Sequence, residues 1–381
     1  MTALLWIATL IGLIYGYSRF WNRETTGKII LTVRAEDNHL TDGDIAVLWF
    51  TLENRSWLPI PWLELLQRLP EGMQAHVMEQ WKDEIVFRTF LLPRQRVQRR
   101  YEVRCARGLH KFDKADVQYG DGVGLRAVGA QLEARETVLV RPRLLEELDL
   151  TIRLTELVGE KSVVRWYQED TSRLQGVRTY QMGDPYRHIH WAATARTGGL
   201  MVKQFETTSE TDYYVVMNQQ FFDPYWTGTI RAVVEHQCKL AATLLRQADE
   251  QGYLTGLYSN AGWSGIGGLH VPVGRAQDHF EVMLQSLGAI LPRPTGPFAD
   301  LLQSLRGRLG DRSTIMMFTA YWSPEIALAV EQLRSEGHHI VLVAYGNVAV
   351  RLNGLSPSIR VVPIELEEQE EPAISGEEVP A

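Results

Sequence analysis

Cysteine is scarce in this sequence, and so are the motifs by which many enzymes are recognised. The 381-residue chain has two cysteines, Cys105 and Cys238, with neither C-x-x-C nor histidine-rich spacing around them. This excludes a disulfide framework and a structural zinc site, and we expect both cysteines to be buried like small apolar residues. Walker A, G-x-S-x-G and H-E-x-x-H motifs are also absent. We therefore predict no catalytic residue, cofactor or metal, and a protein that is not an enzyme.

Positive charge is missing from the C-terminal end of the chain. Residues 365–381 contain seven glutamates and no lysine or arginine, and the whole chain has a formal net charge of -7. The seven glutamates account for this net charge, so the rest of the chain is neutral. A neutral body lacks the positive field that attracts DNA or RNA, which argues against nucleic acid as a partner. We predict that residues 365–381 form a disordered acidic tail.

Charge of either sign is missing from residues 3–17. A helix of this length reaches only about 22 Å, so it crosses a hydrocarbon core of about 30 Å only if its flanking residues extend it. We predict a transmembrane anchor at residues 1–22 that contacts the lipid bilayer through residues 3–17; the alternatives are a signal peptide and a soluble helix. Three basic residues follow the apolar segment: Arg19, Arg23 and Lys28. The positive-inside rule then predicts a single-pass protein of the cell membrane with the bulk of the chain in the cytoplasm.

Two patterns of hydrophobic periodicity divide the rest of the chain. Residues 28–143 contain short segments in which apolar and polar residues alternate, as in Tyr101–Cys105. This period of two predicts an antiparallel, immunoglobulin-like β-sandwich. In residues 211–364, continuous apolar strands alternate with amphipathic helices, which predicts a doubly wound, mainly parallel α/β domain. The fold class is then α+β multidomain, with residues 144–210 as a linker that begins with a polar helix over 144–174.

One segment of the linker, residues 178–206, mixes charged residues, histidines and tryptophan more densely than any other part of the chain. It reads R-x-Y-x-x-G-D, then R-x-I-x-W, then A-R-x-G-x-L-x-V-x-x-F-E. Eight of its residues form the candidate site: Arg178, Tyr180, Gly183, Asp184, Arg187, His190, Trp191 and Arg196. The pattern resembles the signature of the bacterial domain-of-unknown-function family fifty-eight, and the resemblance extends over about residues 25–365.

The resemblance implies a von Willebrand A-like α/β domain preceded by a β-sandwich and membrane helices. It also implies association with cytoplasmic AAA+ ATPases of the MoxR type, without an established enzymatic activity. Domains of the von Willebrand A type often bind Mg²⁺ through D-x-S-x-S after their first strand. The matching positions here are Asn218, Gln220 and Phe222, so we expect no working cation site.

Three interpretations of the candidate site remain open. Its residues either form an internal cluster that joins the sandwich to the α/β domain, with Arg187 or Arg196 paired to Asp184, or dock a partner, or catalyse a reaction. We predict a membrane-anchored, non-enzymatic interaction module that serves as partner or adaptor of a MoxR-type AAA+ ATPase. The alternative is a metal-dependent hydrolase that uses Asp184, His188 and His190, because residues two apart share one face of a strand.

Overall fold

The protein is a mixed α/β structure with several sheets and an N-terminal apolar helix. The computed structural model describes residues 2–37, 39–146, 168–181, 184–208, 212–263, 266–274, 278–310, 313–346, 348, 352 and 355–365. Three predictions fall wholly or partly outside these residues: the acidic tail apart from Glu365, residues 147–167 of the predicted linker, and Gly183 of the candidate site.

Helix α1 (Thr2–Thr25) is long and apolar enough over Leu4–Thr25 to cross a membrane. Its N-terminal part exposes most of its large apolar side chains, whereas Ser18, Trp21 and Thr25 are buried. The spacing of these three residues puts them on one helix face, and this face packs on the body of the protein. The helix thus extends past the predicted anchor of residues 1–22 and ends at Thr25. Its last turns are stabilised by packing against the protein.

The ten strands that follow form two five-stranded sheets. They are β1 (Ile29–Ala35), β2 (Leu40–Thr41), β3 (Ile45–Asn54), β4 (Ile60–Arg68), β5 (Met73–Val77), β6 (Gln80–Lys82), β7 (Glu84–Leu91), β8 (Arg96–Cys105), β9 (Gly108–Gly120) and β10 (Ala127–Arg141). The strand orders are β1-β3-β8-β5-β6 and β2-β10-β9-β4-β7. Side chains from both sheets, among them Phe50 of β3 and Leu65 of β4, belong to one buried core. Alternating burial along β3 explains why the period of two marks these strands.

A small unit comes next along the chain. Strand β11 (Gln168–Thr179) pairs antiparallel with β12 (Met201–Thr208), and a 3-10 turn (Tyr186–His188) and helix α2 (Trp191–Thr197) connect them. The prediction of a polar helix through residue 174 is therefore wrong for its described C-terminal part, which lies in β11. The backbone partners of β11 are in β12, some thirty residues later, and a local pattern does not show them.

The last unit is a seven-stranded sheet with helices on both faces. Its elements are β13 (Asp212–Met217), α3 (Arg231–Glu250), β14 (Leu254–Trp263), β15 (Ile266–Gly274), α4 (His279–Gly288), β16 (Ile290–Pro294), α5 (Phe298–Leu305), β17 (Thr314–Thr319), α6 (Pro324–Ser335), β18 (His339–Tyr345) and β19 (Arg360–Ile364). The order is β15-β14-β13-β17-β18-β19, with β16 also paired to β14. Strands β13, β14, β17, β18 and β19 are parallel, while β15 and β16 are antiparallel.

Burial on both faces explains the continuous apolar runs of the central strands. In β13, Val215 packs in the core formed with α3 and α4, whereas Val216 packs in the core formed with α5 and α6. Neither face of the strand is left to water, so there is no position for a polar residue to alternate with an apolar one.

The two-sheet unit and the α/β unit meet in a polar junction centred on Arg107. The Arg107 side chain is 1% exposed and donates two hydrogen bonds to the carboxylate of Glu235, at 2.7 and 2.8 Å. It also donates to the carbonyl of Leu287 at 2.7 Å. Three further ion pairs cross the same junction: Arg141 with Glu281 and Lys239 with Asp42, both at 2.7 Å, and Arg231 with Glu71.

Candidate functional site

The connection between β11 and β12 is held by one forked ion pair. Arg178, near the end of β11, donates from both terminal nitrogens to the two carboxylate oxygens of Asp184, each at 2.7 Å. The backbone N–H of Gln181 donates to the same carboxylate at 2.8 Å. Hydrogen bonding to Arg178 and Gln181 lowers the pKa of Asp184 to about 2. The predicted pairing of Asp184 with Arg187 or Arg196 is therefore wrong, because Arg178 forms this ion pair instead.

The two histidines have local structural contacts. His190 caps α2, because its Nδ1 accepts a hydrogen bond from the backbone N–H of Ala193 at 3.1 Å. His188 is buried, and the Nε of Arg187 lies 3.3 Å from its Nε2. Within the described residues there is no group of three or more histidine, cysteine, aspartate or glutamate residues that would hold a metal ion. The arrangement thus gives no support to a metal centre at Asp184, His188 and His190.

The segment from Tyr186 to Arg196 presents aromatic and basic side chains to solvent. Tyr186 is 75% exposed and Trp191 is 68% exposed, although each has a large apolar ring. Arg187 and Arg196 are exposed as well, and within the described part of the chain neither of them forms an ion pair. We call these eleven residues the Tyr186–Arg196 segment. Such a combination of exposed rings and arginines is typical of surfaces that bind other proteins.

Tyr180, the residue directly after β11, packs on this segment. Its ring stacks on that of Tyr186, with 6.1 Å between centroids, and its backbone N–H donates to the carbonyl of Leu200 at 2.9 Å. The structure therefore brings seven of the predicted site residues together on one small unit; besides Tyr180, they have two roles. Arg178, Asp184 and His190 fix the backbone, whereas Arg187, Trp191 and Arg196 are available at the surface.

At the carboxyl ends of β13 and β17, where parallel sheets of this kind usually bind ligands, the side chains are amides. Asn218 donates to the hydroxyl of Thr319 at 2.9 Å and accepts from the backbone N–H of Gln220 at 2.8 Å. The side-chain amide oxygen of Gln220 accepts from the backbone N–H of Phe298 at 3.0 Å. These oxygens are engaged with protein donors and include no carboxylate. The residues present therefore do not fit the hydrated divalent cation that a von Willebrand A domain often binds.

Beside this amide network lies a cleft of about 450 Å³ that the sequence reading missed. Its lining includes Asp223, Trp226, Asp300, Tyr321 and Glu325. Burial, together with the charges of Asp223 and Glu325, raises the pKa of Tyr321. Asp300 and Glu325 lie in the first turns of α5 and α6, where carboxylates complement the helix dipoles. No local motif marks the cleft, since its residues come from three separate loops and helices.

Comparison with known proteins finds a family model that matches the region containing the candidate site. The family model "Protein of unknown function DUF58" matches residues 176–345, from the end of β11 to the end of β18. This region, which is less than half of the chain, is similar to that family. The family resemblance predicted from residues 178–206 is thereby confirmed, and the DUF58 region joins the small β11–β12 unit to most of the α/β unit.

A curated relative and several solved structures are also similar to the chain. The uncharacterized protein YeaD of Bacillus subtilis is 24% identical over 258 residues, which are 66% of this chain and 60% of the relative. The chain thus matches less than two thirds of that relative's length. A CARDB domain from Pyrococcus furiosus (6% identity, TM-score 0.18) covers 28% of this chain, and 91% of that domain is covered. Salmonella alpha-2-macroglobulin (19% identity, TM-score 0.21) covers 31% of this chain, and 7% of its own chain is covered. These TM-scores are too low to show the fold or the function of this chain.

Proposed function

We propose that this protein is a membrane-anchored, non-enzymatic interaction module whose docking residues lie in the Tyr186–Arg196 segment. The observation that carries the proposal is the exposure of Trp191 and Tyr186 on a turn that Arg178 and Asp184 hold rigidly. Exposing a tryptophan to water is unfavourable unless a partner covers it, and tryptophan and arginine dominate the energetics of protein interfaces. A fixed backbone lowers the entropy lost on binding.

The partner in this proposal is a cytoplasmic AAA+ ATPase of the MoxR type, as the family resemblance implies. In the same proposal the two-sheet unit is an immunoglobulin-like β-sandwich and the α/β unit is von Willebrand A-like. The amide network at Asn218 and Gln220 supports a role without a cation. The metal-dependent hydrolase remains the alternative, but the contacts of Asp184 and His190 do not favour it.

The orientation in the membrane is part of the proposal. Helix α1 crosses the bilayer once, and the basic residues after its apolar part keep the body in the cytoplasm. Protease added to spheroplasts should then leave the body intact, and protease added to inverted vesicles should digest it. Digestion in spheroplasts would show that the body faces outward.

The docking proposal is tested by crosslinking and pulldown from membranes that contain the full chain and a MoxR-type AAA+ ATPase of the same organism. The test variant is Arg187→Glu with Arg196→Glu, and a second variant is Trp191→Ala. Because these side chains are exposed, we expect both variants to melt like the wild type and to recover at least tenfold less ATPase. The matched control is Arg34→Glu with Arg99→Glu, which makes the same charge change at exposed positions of the two-sheet unit.

The control should recover the ATPase as the wild type does. Equal recovery by the wild type and both test variants would show that the docking surface lies elsewhere. Failure of the wild type itself to recover the ATPase would overturn the choice of partner.

A further inference from the structure

A group of partly exposed apolar side chains lies beside the point where α1 leaves the body of the protein. Three of its side chains are large, apolar and partly exposed: Trp62 at 39%, Val123 at 49% and Leu125 at 56%. Trp62 is at the start of β4, while Val123 and Leu125 form the tip of the hairpin that joins β9 to β10. We call these three residues the hairpin rim.

Two contacts fix the level of the hairpin tip along α1. The Trp21 ring lies 5.9 Å from that of Tyr119, and one helical turn further out Ser18 donates to the carboxylate of Asp121 at 2.6 Å. The step from Trp21 to Ser18 leads toward the N-terminal, exposed part of α1, and the step from Tyr119 to Asp121 leads in the same direction. The end of β9 therefore runs outward beside α1. The residues after Asp121 continue in this direction, toward the exposed apolar part of the helix.

The tip is folded tightly on Asp121. The second carboxylate oxygen of Asp121 accepts hydrogen bonds from the backbone N–H groups of Val123 and Gly124, at 3.1 and 3.0 Å. Asp121 itself is 2% exposed, and its hydrogen bonds to Ser18 and to these N–H groups lower its pKa although burial opposes this. The carboxylate is thus satisfied inside the turn, and the turn presents Val123 and Leu125 outward.

Trp62 belongs to the same rim because β4 and β9 are neighbours. Trp62 is paired with Gly120 in the sheet, and its ring covers that glycine so closely that a Cβ there would lie 2.5 Å from the indole nitrogen. Pro61 packs in the same way against Gly122, with a Cβ there at 2.8 Å. The positive φ of Gly122, 73°, also disfavours any other residue at this turn.

We propose that the hairpin rim inserts into the interfacial region of the bilayer that α1 crosses. The inference rests on the proposed anchor and goes beyond it, since the body then contacts the membrane at two points and its orientation is fixed. Lipid is the occupant because the rim is continuous with the exposed apolar side chains of α1. Tryptophan beside aliphatic residues, with Arg19 and Arg126 nearby in sequence, is the composition of membrane interfaces.

The test uses the full chain in vesicles of phosphatidylcholine with a minor fraction of phosphatidylglycerol. A spin label is attached to Val123→Cys or to Leu125→Cys, and its accessibility to dissolved oxygen is compared with that to a water-soluble nickel complex. Leu10→Cys is the reference inside α1, and Leu328→Cys, on the outer face of α6, is the reference in water; both leucines are exposed, at 58% and 60%. Cys105 and Cys238 are buried, and label-treated wild type checks their background.

We expect the labels at 123 and 125 to favour oxygen over nickel, as at position 10, and the label at 328 to favour nickel. If position 10 is in lipid while 123 and 125 resemble 328, the rim proposal is wrong and the anchor stands. If 123 and 125 are shielded from both reagents, protein covers the rim and the proposal is equally wrong. If position 10 itself favours nickel, the anchor is wrong and the rim proposal falls with it. Melting curves of each labelled variant ensure that a folded protein is compared.

Discussion

Arg107 and Glu235 are 128 positions apart in the chain, yet their side chains form a forked ion pair at 2.7 and 2.8 Å across the junction of the two large units. The guanidinium is buried, and its Nη1 donates to the carbonyls of Leu287 and Ile290. A buried arginine needs acceptors such as this carboxylate and these two carbonyls, because an unpaired charge away from water costs several kcal/mol. The pair therefore fixes how the two units are joined.

Replacing Arg107 should destabilise the junction. For Arg107→Ala we expect a loss of about 3–5 kcal/mol, because Glu235 and two backbone carbonyls lose their donor. The measurement is thermal melting of the detergent-solubilised chain, followed by limited proteolysis to show whether the units separate. Arg88→Ala is the control, since the pair of Arg88 with Glu64 is exposed at the surface and should contribute at most about 1 kcal/mol. Equal effects of the two changes would contradict a structural role for the junction.

The turn that carries the Tyr186–Arg196 segment should depend on the pair of Arg178 and Asp184. Asp184→Asn keeps the size of the side chain but removes the charge, so we expect faster hydrogen exchange in residues 184–197 and weaker ATPase recovery in the pulldown. The double exchange Arg178→Asp with Asp184→Arg restores opposite charges and should recover part of both. Because the pKa of Asp184 is about 2, below its ordinary 3.8, the contribution of this pair should be lost only as the pH falls from about 4 to 2. Unchanged exchange in Asp184→Asn would show that the turn holds without the pair.

Sequence patterns identify what depends on near neighbours in the chain. The start of helix α6 (Pro324–Ser335) is an example, because Ser323 caps the helix and the proline suits its first turn. The continuous apolar run of β13 likewise reflects burial on both faces. Strand β9 lacks such a local signal, since lysine and aspartate interrupt its apolar positions and its pairing partners lie in β4 and β10.

The same limit applies to the candidate site. The motif singles out the right segment, but three arginines are available to Asp184 within it. Only the geometry at the end of β11 selects Arg178, while Arg187 and Arg196 remain at the surface. The junction at Arg107 carries no motif at all, because its partners are contributed by α3 and by backbone carbonyls at the end of α4 and the start of β16.

Both cysteines should resist thiol reagents in the native protein. Burial raises the pKa of the Cys105 thiol and of the Cys238 thiol to about 11 each, so at neutral pH little thiolate is present and it is shielded from solvent. We expect maleimide to modify neither cysteine in the folded chain and both after denaturation in guanidinium. Rapid modification of the native chain, measured by mass spectrometry, would contradict their burial, which the sequence predicts and the structure confirms.

Divalent cations should leave the stability of the protein unchanged. The oxygens of Asn218, Gln220 and Thr319 are bonded to protein donors, so Mg²⁺ would have to break these bonds without gaining a carboxylate ligand. We expect melting curves with millimolar Mg²⁺, with Zn²⁺ and with chelator to coincide. A rise in melting temperature with one metal that His190→Ala abolishes would instead favour the hydrolase alternative.

Mild acid should destabilise the folded body through one buried histidine, His110, and two half-buried ones, His236 and His339. Burial lowers the pKa values of His110, His236 and His339 below the ordinary 6.5, and the charges of Arg231 and Arg107 add to this effect at His110. As the pH falls below 6.5, the unfolded chain takes up these protons before the folded chain does. Stability is therefore greatest above pH 6.5 and is lost below it, by at most about 1.4 kcal/mol per pH unit for each histidine.

The change that isolates one of these groups is His110→Gln. The His110 ring makes a hydrogen bond of 2.8 Å with the carbonyl of Ala106, and a glutamine amide is able to donate to the same oxygen without titrating. The variant should lose less melting temperature than the wild type between about pH 7.5 and 5.5. His39→Gln, at an exposed position, should behave as the wild type does. If His110→Gln and the wild type have parallel pH profiles, His110 is not one of the groups that couple folding to protonation, and the acid sensitivity must come from the other two histidines.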